Sequence, residues 1–147
     1  IIDNGCVFWN KNGMTRIREV PEAATLNHRH IVINSEATLP PREMAGHEAF
    51  HLWENGIGRN EYILILQDNL LYSSSAFMTF QSNISQAYFD EAVDLFDERA
   101  MEKLQEEIFA YISGRIHAGI YDAQLRPMFQ NYDAVKAAWY ELIRRNR

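Results

Sequence analysis

Pro40-Pro41-Arg42-Glu43-Met44-Ala45-Gly46-His47-Glu48-Ala49-Phe50-His51-Leu52-Trp53-Glu54-Asn55-Gly56 is the stretch on which the reading of this sequence turns. Proline is tolerated in the first turn of a helix, where its missing N–H has no partner to lose. Gly56, after Glu54-Asn55, offers the residue that stops one. Met44, Phe50, Leu52 and Trp53 lie between, so the spacing predicts a helix from Pro41 to about Gly56. Inside it stands His47-Glu48-x-x-His51. Residues four apart stack on one face of a helix, so His47 and His51 can present two imidazole nitrogens to a single Zn2+ ion. Glu48 is turned about 100° from His47, which lets its carboxylate reach a metal-bound water instead of the metal. Zinc lowers the pKa of such a water to about 7, and the carboxylate can accept its proton and deliver it to a leaving amine. A solvated helix face carrying His and Glu needs no metal. Two of the chain's five histidines fall in this motif, on a helix that follows a β-prone segment, and that context favours the metal.

Upstream, the sequence reads as strands. Cys6-Val7-Phe8-Trp9 is short and β-prone, and Asn10-Lys11-Asn12-Gly13 supplies turn chemistry. Met14 to Val20 alternates untidily, like an edge strand, and Pro21 ends it. His30-Ile31-Val32-Ile33-Asn34 has three consecutive β-branched residues and closes at Asn34-Ser35. Three strands predict a small antiparallel sheet near the N-terminus, packed on a helical domain: an α+β fold in one domain spanning residues 1–147.

Downstream, Asn60 is expected to cap a second helix with Ile63, Leu66, Leu70 and Leu71 at helical spacing, although a strand through Leu66 is compatible with the same residues. Ser73-Ser74-Ser75 marks a break, and Phe77 to Tyr88 reads either way. Asp97 to His117 reads as a long helix with Met101, Leu104, Ile108 and Ile112 inward, stopping at Gly119. A last helix begins at about Asp133, with Val135, Trp139, Leu142 and Ile143 on one face.

A catalytic zinc takes three protein ligands and keeps one position open. A third histidine six residues beyond His51 is absent, since position 57 is Ile. A carboxylate from a later helix is the obvious alternative, and Leu104-Gln105-Glu106-Glu107-Ile108-Phe109-Ala110-Tyr111 offers two. With Leu104 at 0°, Ile108 falls at about 40°, Ile112 at about 80°, Glu107 at about −60° and Glu106 at about 200°. Glu107 therefore lies at the margin of the buried face and is the favoured ligand, while Glu106 reads as a solvated charge.

His30-Ile31-Val32-Ile33-Asn34 followed by Pro41 to His51 resembles the ImmA/IrrE family of zinc metallopeptidases. That family shows an I-x-I-N strand, an arginine-containing helix start, a His-Glu-x-x-His helix and then a Glu-bearing helix with Phe and Ala nearby. Glu107-Ile108-Phe109-Ala110 is similar to that last element. The resemblance implies a zincin-like domain with His47, His51 and Glu107 as ligands and Glu48 as general base, as in thermolysin-like gluzincins. It also implies a protein substrate, such as a transcriptional repressor of a mobile element, with proteolysis as a regulatory switch. Two departures stand out: Phe50 occupies a position where the family usually has Gly, and residues 60–96 lengthen the interval between His51 and Glu107.

Under this reading a peptide would add as a strand beside His30 to Asn34, with Ile31, Val32 and Ile33 contacting it; an ordinary internal strand accounts for the same residues. Tyr111, four residues after Glu107, is the candidate donor to a developing oxyanion, with His117 and His28 as alternatives and a packing role open to each. Trp9, Trp53 and Trp139 read as core aromatics, and Met44 and Met101 as packing. Asp90-Glu91, Asp94 and Asp97-Glu98 lack the glycine and spacing of a calcium loop and read as a solvated face.

Composition bounds the rest. The chain has 147 residues, 47% hydrophobic and 23% charged, enough apolar material for a core and unlike a disordered or fibrous chain. Cys6 has no partner for a disulfide, which suits a reducing cytoplasm. A net charge of −6, with no basic run beyond Arg144-Arg145-Asn146-Arg147, argues against nucleic-acid binding. The longest apolar run, Tyr62 to Leu66, is far short of the roughly 20 residues a membrane helix needs, and no signal peptide opens the chain. Ile1 in place of an initiator Met predicts a processed chain or a domain excised from a longer protein. The expectation is thus a zinc-dependent endopeptidase acting on a protein or peptide substrate. The alternative is a catalytically inactive metal-binding interaction module within a larger polypeptide.

Overall fold

The computed structural model describes residues 23–26, 30–33, 38–90 and 98–146. Strands β1 (Ala23–Leu26) and β2 (His30–Ile33) form an antiparallel ribbon in which Thr25 faces Ile31. Helices α1 (Pro41–Leu52), α2 (Arg59–Asn69), α3 (Ser75–Asp90), α4 (Glu98–Ala118), α5 (Asp122–Leu125) and α6 (Tyr132–Arg145) follow, with a 3-10 turn at Arg126–Met128.

The fold is helical, which corrects the α+β expectation. Among the described residues the anticipated sheet is reduced to that four-residue ribbon and an isolated bridge between Leu70 and Phe129. The physical reason lies in the core. Among the described side chains, the buried ones come from the helices, Leu70 just past α2 and the turn at Met128-Phe129, while Ile31 of the ribbon is partly buried at the edge. A two-stranded ribbon is marginal by itself; here both strands rest on α1. The strands expected at Cys6–Trp9 and Met14–Val20 lie outside the described residues, as do Trp9, His28 and the acidic positions 91–97.

Helix α1 packs on α4, and two glycines set how closely. A Cβ on Gly114 would stand 2.5 Å from the Glu43 carbonyl oxygen, and one on Gly46 would stand 2.5 Å from His117 Cβ and 3.0 Å from Gly114 Cα. The backbones can therefore meet at a distance no larger residue permits. The cross-helix pairs Glu43–Arg115, His47–Glu107 and His51–Glu106 show that the two helices run antiparallel. Phe50, the departure from the family pattern, is fully buried against Tyr62 and beneath the Arg59 guanidinium, 4.4 Å from its ring centre.

The remaining helices close the core over this pair. Tyr62 of α2 and Trp139 of α6 are buried against each other, their rings tilted by 50° with centres 5.4 Å apart. The Tyr62 hydroxyl lies 2.7 Å from Ser113 Oγ, and Ser113 donates in turn to the Phe109 carbonyl at 2.8 Å, so Tyr62 is the donor of the first bond. Buried hydroxyls are thereby satisfied inside an apolar core.

Several boundaries differ from expectation. Gly58, with φ +86°, precedes α2 in place of an Asn60 cap, and Leu71 falls past the helix end and is exposed. The ambiguous 77–88 segment is α3, which buries Phe77, Phe80 and Ile84 at helical spacing. Met101 is 62% exposed, not inward. It lies more than a turn before Glu106, where the last turn of α1 meets α4, so α1 does not cover it. Asn131 caps α6 by accepting from the Ala134 N–H. Asn146, just past that helix, clamps the α1–α2 loop: its side-chain oxygen accepts from the Ile57 N–H at 3.0 Å and its amide donates to the Ile57 carbonyl at 2.9 Å. No helix among the described residues is long and apolar enough to cross a membrane.

Candidate metal centre

One turn of α1 separates His47 from His51, and both face α4, which returns Glu107 between them. His47 Nε2 is 3.2 Å from Glu107 Oε2 and His51 Nε2 is 2.9 Å from Glu107 Oε1. One ligand atom from each of the three residues lies within 4.8 Å of the others, all three are half-buried, and the group can hold a metal ion. The fit is supported by an orphaned atom. His51 Nε2 is buried and makes no hydrogen bond, although the Glu107 oxygen is close; its approach lacks hydrogen-bond alignment. A cation between nitrogen and carboxylate satisfies both, and two imidazoles with one carboxylate are a usual donor set for zinc.

The charges are tightly matched when no metal lies between them. Burial pushes the Glu107 carboxyl up, but the close approach of the His47 and His51 imidazoles overrides it and holds the group at about 2. Burial opposes a charge on His51, yet the carboxylates of Glu106 and Glu107 raise it to about 9. Glu48 goes the other way: burial lifts its carboxyl above the usual range, outweighing the pull of His47 and His51, and the Glu107 charge adds to the rise. A carboxylate with raised proton affinity beside this group is suited to accept a proton.

The helical-wheel preference for Glu107 is matched by its position, whereas Glu106 is not the solvated charge expected. It is half-buried, receives His51 Nδ1 at 3.3 Å and Arg59 Nη2 at 2.6 Å, and is held below the usual carboxylate range: burial would raise it, but His51 and Arg59 prevail. The wheel treats the buried face of α4 as one stripe and omits the start of α2, which brings Arg59 to its flank. Tyr111 packs edge-on against His47, with ring centres 4.3 Å apart. His117 accepts from the Trp139 indole N–H at 3.2 Å, and burial, then the charge of Arg42, depresses its pKa; it serves the core. Ile31 packs at the core edge on β2, which with Val32 and Ile33 lies against α1.

Sequence reasoning missed Arg59 and the buried Glu43. Neither belongs to a short motif, and each finds its partner 47 or more residues away: Arg59 at Glu106, and Glu43 at Tyr121, 78 residues on. Beside the metal group an open cleft of about 490 Å3 is lined by His51, Glu54, Glu102, Lys103, Glu106 and Glu107, so the centre is reachable from solvent.

No family model, curated protein or solved structure matches this chain. The likeness to the ImmA/IrrE pattern rests on the motif residues alone.

Proposed function

We propose that this protein is a zinc-dependent endopeptidase of the ImmA/IrrE kind, acting on a protein or peptide substrate. The observation that carries the reading is the meeting of His47, His51 and Glu107 at one point beside a Glu48 whose carboxyl is raised by burial. A centre that only stabilises a fold is closed by four protein ligands; this one offers three among the described residues and stands at an open cleft.

Zinc, when bound, supplies Lewis acidity toward the peptide carbonyl and an acidified water. The chain's own residues do the rest. His47, His51 and Glu107 would hold the ion, Glu48 would accept a proton from the attacking water and return it to the departing amine, and Tyr111, whose ring packs edge-on against His47, would donate toward a developing oxyanion. The substrate strand would run beside β2, whose second edge carries no strand among the described residues. A transcriptional repressor remains the proposed substrate and the cytoplasm the proposed compartment.

The test pairs metal analysis with hydrolysis of a peptide library. Wild type is expected to hold about one zinc per chain and cleave. His51→Ala should lose both properties, and Glu48→Gln should keep zinc and lose cleavage by about 100-fold or more. Stoichiometric zinc with no cleavage of peptides or repressors would favour the inactive interaction module. No bound metal after zinc is offered at neutral pH would end the reading.

A further inference from the structure

The ligand His51 has a second nitrogen, and what it touches is specific. Its Nδ1 lies 3.3 Å from Glu106 Oε1, and an ionised carboxylate only accepts hydrogen bonds, so the imidazole must donate there. The same oxygen receives Arg59 Nη2 at 2.6 Å. Arg59 is itself fixed: it is buried, its guanidinium lies 4.4 Å above the Phe50 ring, and Nη1 reaches the Glu54 carbonyl at 3.4 Å. A three-residue line therefore runs from the start of α2 through α4 to α1, ending on the ring of a metal-ligating histidine. A neutral imidazole, the form that binds a metal, presents the lone pair of Nε2 when it donates through Nδ1, and Nε2 is the buried nitrogen left without a hydrogen bond opposite Glu107.

We infer that Glu106 and Arg59 are positioning residues for the metal, with Glu106 fixing the tautomer and ring angle of His51 and Arg59 fixing Glu106. This rests on the metal reading above. It assigns Glu106 a task distinct from that of its neighbour Glu107: one carboxylate faces the ion, and the other faces the back of the ligand. Outer partners of this kind are worth about 10- to 100-fold in metal affinity.

The experiment measures zinc affinity by competition with a chromophoric chelator, and the visible spectrum of the cobalt-loaded protein, for wild type, Glu106→Gln and Arg59→Met. Thermal midpoints of the metal-free proteins are recorded alongside. Glu106→Gln should weaken zinc binding about 10- to 100-fold and change the cobalt bands, because the amide can turn its N–H2 toward His51. Arg59→Met keeps an apolar stem on Phe50 and leaves no unpaired buried cation, so it serves as the second variant should Glu106→Gln, which strips Arg59 of its carboxylate, fail to fold; it should weaken binding by a smaller factor. A purely structural ion pair would lower the metal-free midpoints and leave affinity and cobalt spectrum unchanged, which would overturn the inference while the metal site stands. Failure of the wild type itself to bind zinc or cobalt would overturn the metal reading and this inference together.

Discussion

The α1–α4 pair carries a buried carboxylate group at each end, and the two are built differently. Toward the start of α1, Glu43 is 3% exposed; Tyr121 donates to it at 2.6 Å and Arg115 lies 3.4 Å from its other oxygen. Toward the end of the same helix, Glu107 is half-buried beside a cleft and faces two imidazoles. The partners of Glu43 are a hydroxyl and a guanidinium that hold their protons at every physiological pH. Imidazoles can release theirs, and a released proton leaves a lone pair that a cation can take. One end fixes the helices and the other can exchange a guest. The difference lies in the partner's chemistry, not in the carboxylate.

The largest expected effect comes from what both ends share. Gly114→Ala would place a Cβ 2.5 Å from the Glu43 carbonyl oxygen and 3.1 Å from the His47 backbone nitrogen, so α1 has to move. We expect a loss of about 1–3 kcal/mol by denaturant titration, with weaker zinc binding in the same variant. A variant as stable and as tight as wild type would show that the crossing does not couple the ends.

Glu43→Gln separates them. Removing the charge while keeping the shape should cost about 1–3 kcal/mol of stability, and zinc affinity should stay within about twofold, as expected for sites without a shared partner. A large loss of affinity would show that the first end tunes the second.

Acidity gives the smallest and most selective effect. His51 has a folded pKa of about 9 against an ordinary 6.5, so its contribution to metal-free stability is complete below 6.5 and is lost as pH rises through 9. Glu107, at about 2 against an ordinary 4.5, contributes fully above 4.5 and loses this as pH falls toward 2. Glu48, with its raised carboxyl, loses stability as it ionises with rising pH, which offsets part of the gain from Glu107 and runs in the same direction as the loss from His51. Melting of the metal-free protein should therefore show a decline between pH 6.5 and 9 that His51→Ala abolishes; an unchanged slope in that variant would remove His51 from the account.

Local patterns carried most of the site. The four-residue spacing of His47 and His51 needs only a helix to become a pair of ligands, and the phase of Leu104, Ile108 and Ile112 was enough to prefer Glu107. What escaped depends on a third element. Glu106 reads as solvated until Arg59 arrives from α2, and Met101 reads as buried until α1 is seen to stop short of it. The β-prone run at His30–Ile33 does form a strand, but the residues from 41 onward pack as helices against one another and need no sheet to cover their apolar faces. Propensity identified the strand and overstated its part in the architecture.

The clamp of Asn146 on Ile57 has a consequence for the order of events on the ribosome. The two residues are 89 apart, a gap that takes roughly 4 to 18 s to synthesise at 5–20 residues per second. Through that interval His47 and His51 have already emerged, Glu106 and Glu107 follow only midway, and the loop that leads into Arg59 is unfastened until α6 is complete. A nascent chain thus presents the two histidines well before Glu106, Glu107 and the fastening of α6, so a metal taken up by the assembled group would enter after α6 is complete.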